Sequence, residues 1–309
     1  MRGDFARGEL PARKTKETKK FVPLKTRKSI TGVLFALPGL LGFIVLIAIP
    51  FGMTVYYSTT NGVGQFVFLD NYIDLFHSTT FQLALVNTMR FTLIGVSMLL
   101  ILSLALSVMF YHHIKKSTFG IHAIKSAVLL PIVIPTASIV LIIQILFEPY
   151  GIINGLITTL NGSPVEWLYT APYSFWILIV LFLWKNCGYC MVILLAALDT
   201  IEPSIHEAAL CDRANGFQRF FYITLPLIST SVFFVAIIGI IGIYRMFRES
   251  YLLMGDYPHE SVYMLQNFIN NNIRNLNYQR LSSASIVFLL FVTLFVVLLL
   301  KNNIGKGEE

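Results

Sequence analysis

Six apolar stretches, each close to the length of a bilayer-crossing helix, constrain this 309-residue chain more than any motif does. They fall at about 32–56, 85–110, 126–147, 175–196, 227–246 and 284–300. About 20 apolar residues carry a helix across the hydrocarbon core. Lipid offers no partner to backbone polar groups, so such segments must satisfy their own hydrogen bonds. The expectation is an all-α membrane protein of six transmembrane helices. Composition agrees: 56% of residues are hydrophobic and 13% charged, where a soluble domain carries about 25% charged residues. Pro38, Pro50, Pro131 and Pro135 lie inside apolar runs. They do not exclude helices there, because neighbouring helices can satisfy the groups they free.

Charge sets the orientation. Residues 1–29 hold ten Lys or Arg against Asp4, Glu9 and Glu17, which accounts for the whole formal charge of +7. A basic tail beside anionic lipid is a topology signal, so no nucleic-acid partner is expected, and membrane lipid is. The tail is read as preceding an uncleaved first anchor, since its basic region and following apolar run are too long for a signal peptide. The loops at 58–82 and 148–173 contain no Lys or Arg, whereas the one at 111–125 has Lys115, Lys116 and Lys125. Basic loops stay inside. Both termini and the loop after the fourth run are therefore expected in the cytoplasm, of a bacterial plasma membrane if the resemblance below holds. The division is a tail at 1–29, a membrane domain at 30–301 and a short tail at 302–309. Arg248, Arg274 and Arg280 after the fifth run argue weakly the other way.

The loop at 197–226 is polar and helix-forming between two apolar runs. Pro203 suits the first turn of a helix, with Glu202 near its positive end. Asn215-Gly216 is read as the stop, with Arg213 still helical. Phe217, Phe220 and Phe221 crowd one side of a second short helix, and Pro226 marks the start of the fifth span. Asp199, Glu202, Glu207 and Asp212 outnumber Arg213 and Arg219, so the loop is a poor match for anionic headgroups. Ala208 and Ala209 would let a partner approach closely.

Glu207-Ala208-Ala209, three residues, then Arg213, nine residues, Ile223, one residue, Leu225-Pro226 resembles the EAA loop of ATP-binding cassette (ABC) importer permeases. The family has Gly where this chain has Arg213. The resemblance extends over about residues 27–300, through Leu34 to Pro38, Ile49-Pro50, Phe66 to Tyr72, Asn87-Thr88, Trp184 to Tyr189, and 251–258. This order is similar to carbohydrate-importer permeases of the maltose and glycerol-phosphate type. The resemblance implies a type I importer (MetI-like) permease fold, half of a translocation pore, and solute import. It implies a second permease subunit, with a heterodimer favoured. It also implies two ATPase subunits on the cytoplasmic loops and an extracytoplasmic solute-binding protein. The coupling residues carried over are Glu207, Ala208, Ala209, Asp212, Arg213, Gly216, Ile223, Leu225 and Pro226.

Lys185 and Asn186 fall in the middle of the fourth run. A charge at that depth costs about 2.5–3.5 kcal/mol on insertion scales. Lys185, Asn186 and Tyr189 are candidates for the solute path, with Gln144 a weaker one. Alternatively, Lys185 pairs with a carboxylate or carbonyl where two permeases meet. Arg245 and Glu249, four residues apart, are spaced to pair across a helical turn. The sequence has no Gly-x-x-x-x-Gly-Lys-Ser/Thr, so this chain is expected to bind no cofactor and to leave ATP to partner subunits. His112, His113 and His122 lack acidic or Cys neighbours and read as surface, not metal ligands. Cys187 and Cys190 have redox-motif spacing, yet lie within an apolar run and read as packing; Cys211 is expected reduced. An enzyme is not expected. The alternatives kept are an importer permease for amino acids, peptides or phosphate and, behind that, a membrane-embedded redox enzyme.

Overall fold

The computed structural model describes residues 30–114 and 119–304, with side chains at 35–111, 123–297 and Lys301. The basic tail, Lys115, Lys116, the side chains of His112, His113 and His122, and Gly305-Lys306-Gly307 lie outside the described residues. The chain divides between Phe51 and Gly52 into two units. The first holds α1 (Ile30–Phe43) and the start of α2 (Ile49–Ser58), joined by one π-helical turn, Ile44–Ala48.

In the second unit the outer segments α3 (Asp70–His77) and α7 (Ile152–Thr159) alternate with long helices. These are α4 (Thr79–Ile114), α5 (Phe119–Val133), α6 (Thr136–Phe147) and α8 (Tyr173–Asp199). The polar loop folds as α9 (Pro203–Cys211), α10 (Gly216–Arg219), a π turn (Phe220–Thr224) and α11 (Leu225–Leu227). After it come α12 (Ser229–Arg245), α13 (Phe247–Met254), α14 (Leu265–Arg274) and α15 (Tyr278–Ile304). Six helices among the described residues are long and apolar enough to cross a membrane, the number the apolar runs predict; five follow those runs, and the third, Thr136–Thr159, begins and ends later than the run at 126–147.

Several boundaries differ from that prediction, each for a physical reason. The third run is two helices, because Pro135 lacks an N–H and disfavours helical angles at Ile134; it stands at φ −56°, ψ 138° and starts α6 instead. The fifth run ends where expected, with α12 at Arg245, but α13 follows after the single residue Met246. α4 and α15 extend beyond their apolar runs, since hydropathy marks the length that lipid needs and not the length that hydrogen bonds allow. Asp70 is the first residue of α3, not its cap, and Leu69 holds the cap position. Both π turns end two residues before a proline: Ile49 N–H donates to Ile44, ahead of Pro50, and Leu225 N–H donates to Phe220, ahead of Pro226. The wider turn relieves the clash of each ring with the carbonyl four residues back.

The core of the second unit is built around α8. Of its most apolar stretch 61% is buried, against 33% or less in the other spans of this unit. Phe175, Leu178, Phe182 and Leu194 fill the interior with Phe91, Leu99, Val235 and Ile240. Small residues permit the approach. A Cβ on Gly188 would lie 2.1 Å from the Val128 carbonyl oxygen, and one on Gly239 3.1 Å from Leu99. Cys187-Gly188-Tyr189-Cys190 is thus where α5 presses on α8, with both thiols buried and free. Close backbone approach through small residues is how membrane helices pack when no water drives them together.

Buried asparagines tie the outer segments down. Asn87 donates to the Glu260 and Tyr263 carbonyls at 2.6 and 3.0 Å. Beside it, Thr88 Oγ1 accepts from the Leu265 N–H at 2.8 Å. Asn154 holds its own loop through Val165 and the Trp167 indole. Asn71 reaches the Ser58 and Thr60 carbonyls. Each satisfies backbone groups that lack a ladder.

Candidate functional site

Two features stand out: a cavity halfway along the bundle, and the surface of the polar loop. The cavity, of about 460 Å³, is lined by Lys185, Asn186, Tyr189, Arg245, Arg248 and Glu249, with Ile132, Ile238, Ile241 and Gly242. Lys185 projects from the middle of α8. Its ammonium donates to Thr136 Oγ1 at 2.9 Å and to Glu249 Oε1. Thr136 opens α6 just after the Ile134-Pro135 break, and Glu249 lies just past the α12–α13 junction at Met246. Thr136 and Glu249, each beside the junction of two helices, thus meet one partly buried lysine, and Glu249 neutralises it. Irregular backbone at such depth is tolerated where protein or a cavity covers it.

The expected pairing of Arg245 with Glu249 does not form. Met246 between them keeps helical angles, φ −63° and ψ −15°, and Glu249, 3% exposed, pairs with Lys185 instead. Lys185 does find a carboxylate, within its own chain. Asn186 donates to the Phe182 carbonyl at 2.8 Å, and Gly242 leaves room for its side chain. Tyr189 is half-exposed on the wall. The structure thus gathers Lys185, Asn186 and Tyr189 as the sequence suggests. Gln144 on α6 does not line this cavity. Arg245, Arg248 and Glu249 also line it, where the sequence reading paired Arg245 with Glu249; it did not pick out Thr136, which accepts from Lys185. A signal for Glu249 existed, because a mid-span lysine demands a counter-charge and Glu249 closes the next apolar run.

The loop departs from expectation at its bend. Arg213 is not helical; it stands at φ +57°. Asp212 caps α9, Arg213 N–H donates to Leu210 and Ala214 N–H donates to Ala209, both at 3.0 Å. This is a Schellman turn with Arg213 at the left-handed position that usually takes glycine. Asn215 does not stop α9; it starts α10. Its side chain accepts from Gln218 N–H at 2.8 Å, and the Gln218 side chain accepts from Asn215 N–H at 2.9 Å, a capping box. Gly216 follows as the first residue of α10, with open space around it.

Ala209 is buried, so of the two alanines only Ala208 faces outward, beside exposed Glu207 and Asp212. Phe217 and Tyr222 are 71% and 79% exposed. The Phe217 and Phe221 rings stack at 4.3 Å, as their spacing predicts. Ile223 and Leu225 are half-buried, and Pro226 is exposed. Leu198, Ile201 and Ile228 clamp the two ends of the loop together. A second cavity of about 390 Å³ separates the loop from the body, with Glu207, His206 and Arg219 on its wall. The flanking helices, α8 and α12, also wall the central cavity. From Asp199 to Asn186 is about 20 Å along the helix axis at 1.5 Å per residue.

Comparison with known proteins gives one answer at every level. Residues 106–306 match the family model described as binding-protein-dependent transport system inner membrane component. Among curated relatives, the trehalose/maltose transport system permease protein MalF of Thermococcus litoralis is 29% identical over 284 residues, covering 90% of this chain and 95% of the relative. The arabinooligosaccharides transport system permease protein AraP of Halalkalibacterium halodurans is 27% identical, covering 95% and 94%. Among solved structures, a bacterial ABC transporter involved in the import of the acidic polysaccharide alginate has a chain that superposes with a TM-score of 0.76 at 20% identity, covering 89% of this chain and 97% of that one. The fold is that of ABC importer permeases, and transport, not catalysis, is the work of the family. The chain belongs to the binding-protein-dependent transport system inner membrane components, as a multi-pass permease.

Proposed function

We propose that this chain forms half of the pore of an ABC importer for a sugar or oligosaccharide. A second, similar permease completes the pore, two ATPase subunits seat on the loops, and an extracytoplasmic binding protein delivers solute. Glu207 and Ala208 make the outer face of the seat, with Phe217 and Tyr222 as apolar contacts. Ile223, Leu225 and Pro226 shape its return into α12, and Asp212 and Arg213 set its bend ahead of Gly216. ATP binds the partner subunits and not this chain. Lys185, Asn186 and Tyr189 line the solute path; Gln144, away from the cavity, would meet solute only on another stretch of it.

The observation that carries the reading is a loop folded by its own short-range bonds, which leaves an outward face of Glu207, Ala208, Phe217 and Tyr222 for another protein. The saccharide class rests on the names of the relatives.

Two measurements test this. Ala208→Cys in the complete importer should cross-link to an ATPase subunit, in a manner sensitive to ATP; a cross-link to lipid-facing chains alone would defeat the reading. For orientation, the exposed native Cys211 is a ready probe, since Cys187 and Cys190 are buried. A membrane-impermeant thiol reagent should spare it in intact cells and label it in inverted vesicles. Labelling in intact cells would place the loop outside.

A further inference from the structure

The central cavity carries more positive charge than its own chain neutralises. Its wall holds Lys185, Arg245 and Arg248 against one carboxylate, Glu249. Lys185 and Glu249 are consumed by each other and by Thr136. Arg245 and Arg248 make no ion pair among the described residues, and both are exposed on the cavity wall. They lie three residues apart on either side of Met246, so both reach one space. The carbonyl end of α12 offsets part of the cost of Arg245 but does nothing for Arg248. Two guanidinium groups on the cavity wall, beside Ile132, Ile238 and Ile241, are strong hydrogen-bond donors to the oxygens of an anion.

We propose that the solute of this permease is an acidic saccharide, one bearing a carboxylate or sulfonate, and that Arg245 and Arg248 bind its charge during passage. Asn186 and Tyr189, on the facing wall, supply hydrogen bonds to hydroxyls. This inference rests on the importer reading above and adds the class of its cargo. Lys185 is excluded from the role because its charge is already paired with Glu249.

The test uses the complete importer in proteoliposomes, with digalacturonate and maltose as probes. Uptake of digalacturonate should exceed that of maltose, and R245Q/R248Q should lower it by about tenfold or more, the size expected for loss of a charge-assisted bond. Preference for maltose, unchanged in that variant, overturns the proposal. A second arm needs no knowledge of the cargo. With Cys211→Ser as background, Ile241→Cys places a thiol in the cavity. It should react faster with a sulfonate methanethiosulfonate reagent than with the trimethylammonium one, relative to free cysteine, and R245Q or R248Q should each reduce that ratio. Should neither saccharide be carried, the ratio decides, and its absence overturns the proposal. A retained ratio with no ATP-dependent uptake of any saccharide would instead fault the importer reading.

Discussion

The central cavity and the polar loop at 197–226 solve opposite problems. The cavity residues are joined by bonds between distant parts of the sequence: Lys185 to Thr136, 49 positions away, and to Glu249, 64 away. The loop is held by bonds spanning three to five positions, in the Schellman turn at Arg213 and the capping box of Asn215 and Gln218. In the cavity Lys185 is spent on Glu249 and Thr136, while Arg245 and Arg248 make no ion pair among the described residues. The loop spends almost none of its polar groups, so Glu207, Ala208, Phe217 and Tyr222 remain for a partner. An unmatched charge is costly in a membrane interior and cheap on a water-facing surface. Stability should therefore be concentrated in the first region and function without stability in the second.

The sharpest way to break that contrast is Lys185→Met. It leaves Glu249 buried and unpaired, which should cost about 3–5 kcal/mol, read as a large drop in the thermal unfolding midpoint of the purified protein. Adding Glu249→Gln should recover most of the loss. Equal stability of wild type and Lys185→Met would show that the pair does not hold the cavity together.

Gly188→Ala comes next. The new methyl would meet the Val128 carbonyl, a backbone atom that cannot rotate aside. Overpacking of this kind costs about 1–3 kcal/mol, and the same unfolding measurement reads it. An unperturbed midpoint would mean that α5 and α8 do not press together there.

Arg213→Gly should act in the other direction and least. A left-handed backbone costs an L-residue about 1–2 kcal/mol, so glycine should raise the midpoint slightly and leave ATPase coupling intact. Loss of coupling would give the guanidinium a role that its strained position does not explain.

The same division explains what was legible in the sequence. The six spans, the helix begun by Pro203 and the Phe217–Phe221 contact follow from composition and spacing within a few residues, and all could be read. The loop's bend was misplaced by a local competition. Asn215-Gly216 offers both a stop and a start, and only the structure shows that Asn215 caps α10 while Arg213 bears the strain. The partnership of Lys185 with Glu249 was hidden because it joins residues 64 positions apart, whereas the spacing of Arg245 and Glu249 offered a local pairing instead. Thr136 was hidden in the same way, being uninformative until Pro135 is seen to end α5. Gly188 looked like part of a cysteine motif, although its lack of a side chain is what α5 requires.

The central claim is that the loop transmits work from a separate ATPase, and Glu207→Lys tests it most directly. Glu207 is exposed and makes none of the bonds that fold α9 and α10, so the unfolding midpoint should not move. In the complete importer, retention of the ATPase or saccharide-stimulated ATP hydrolysis should fall by about tenfold or more, as for a lost interface charge pair. Full retention with normal stimulation would contradict the account.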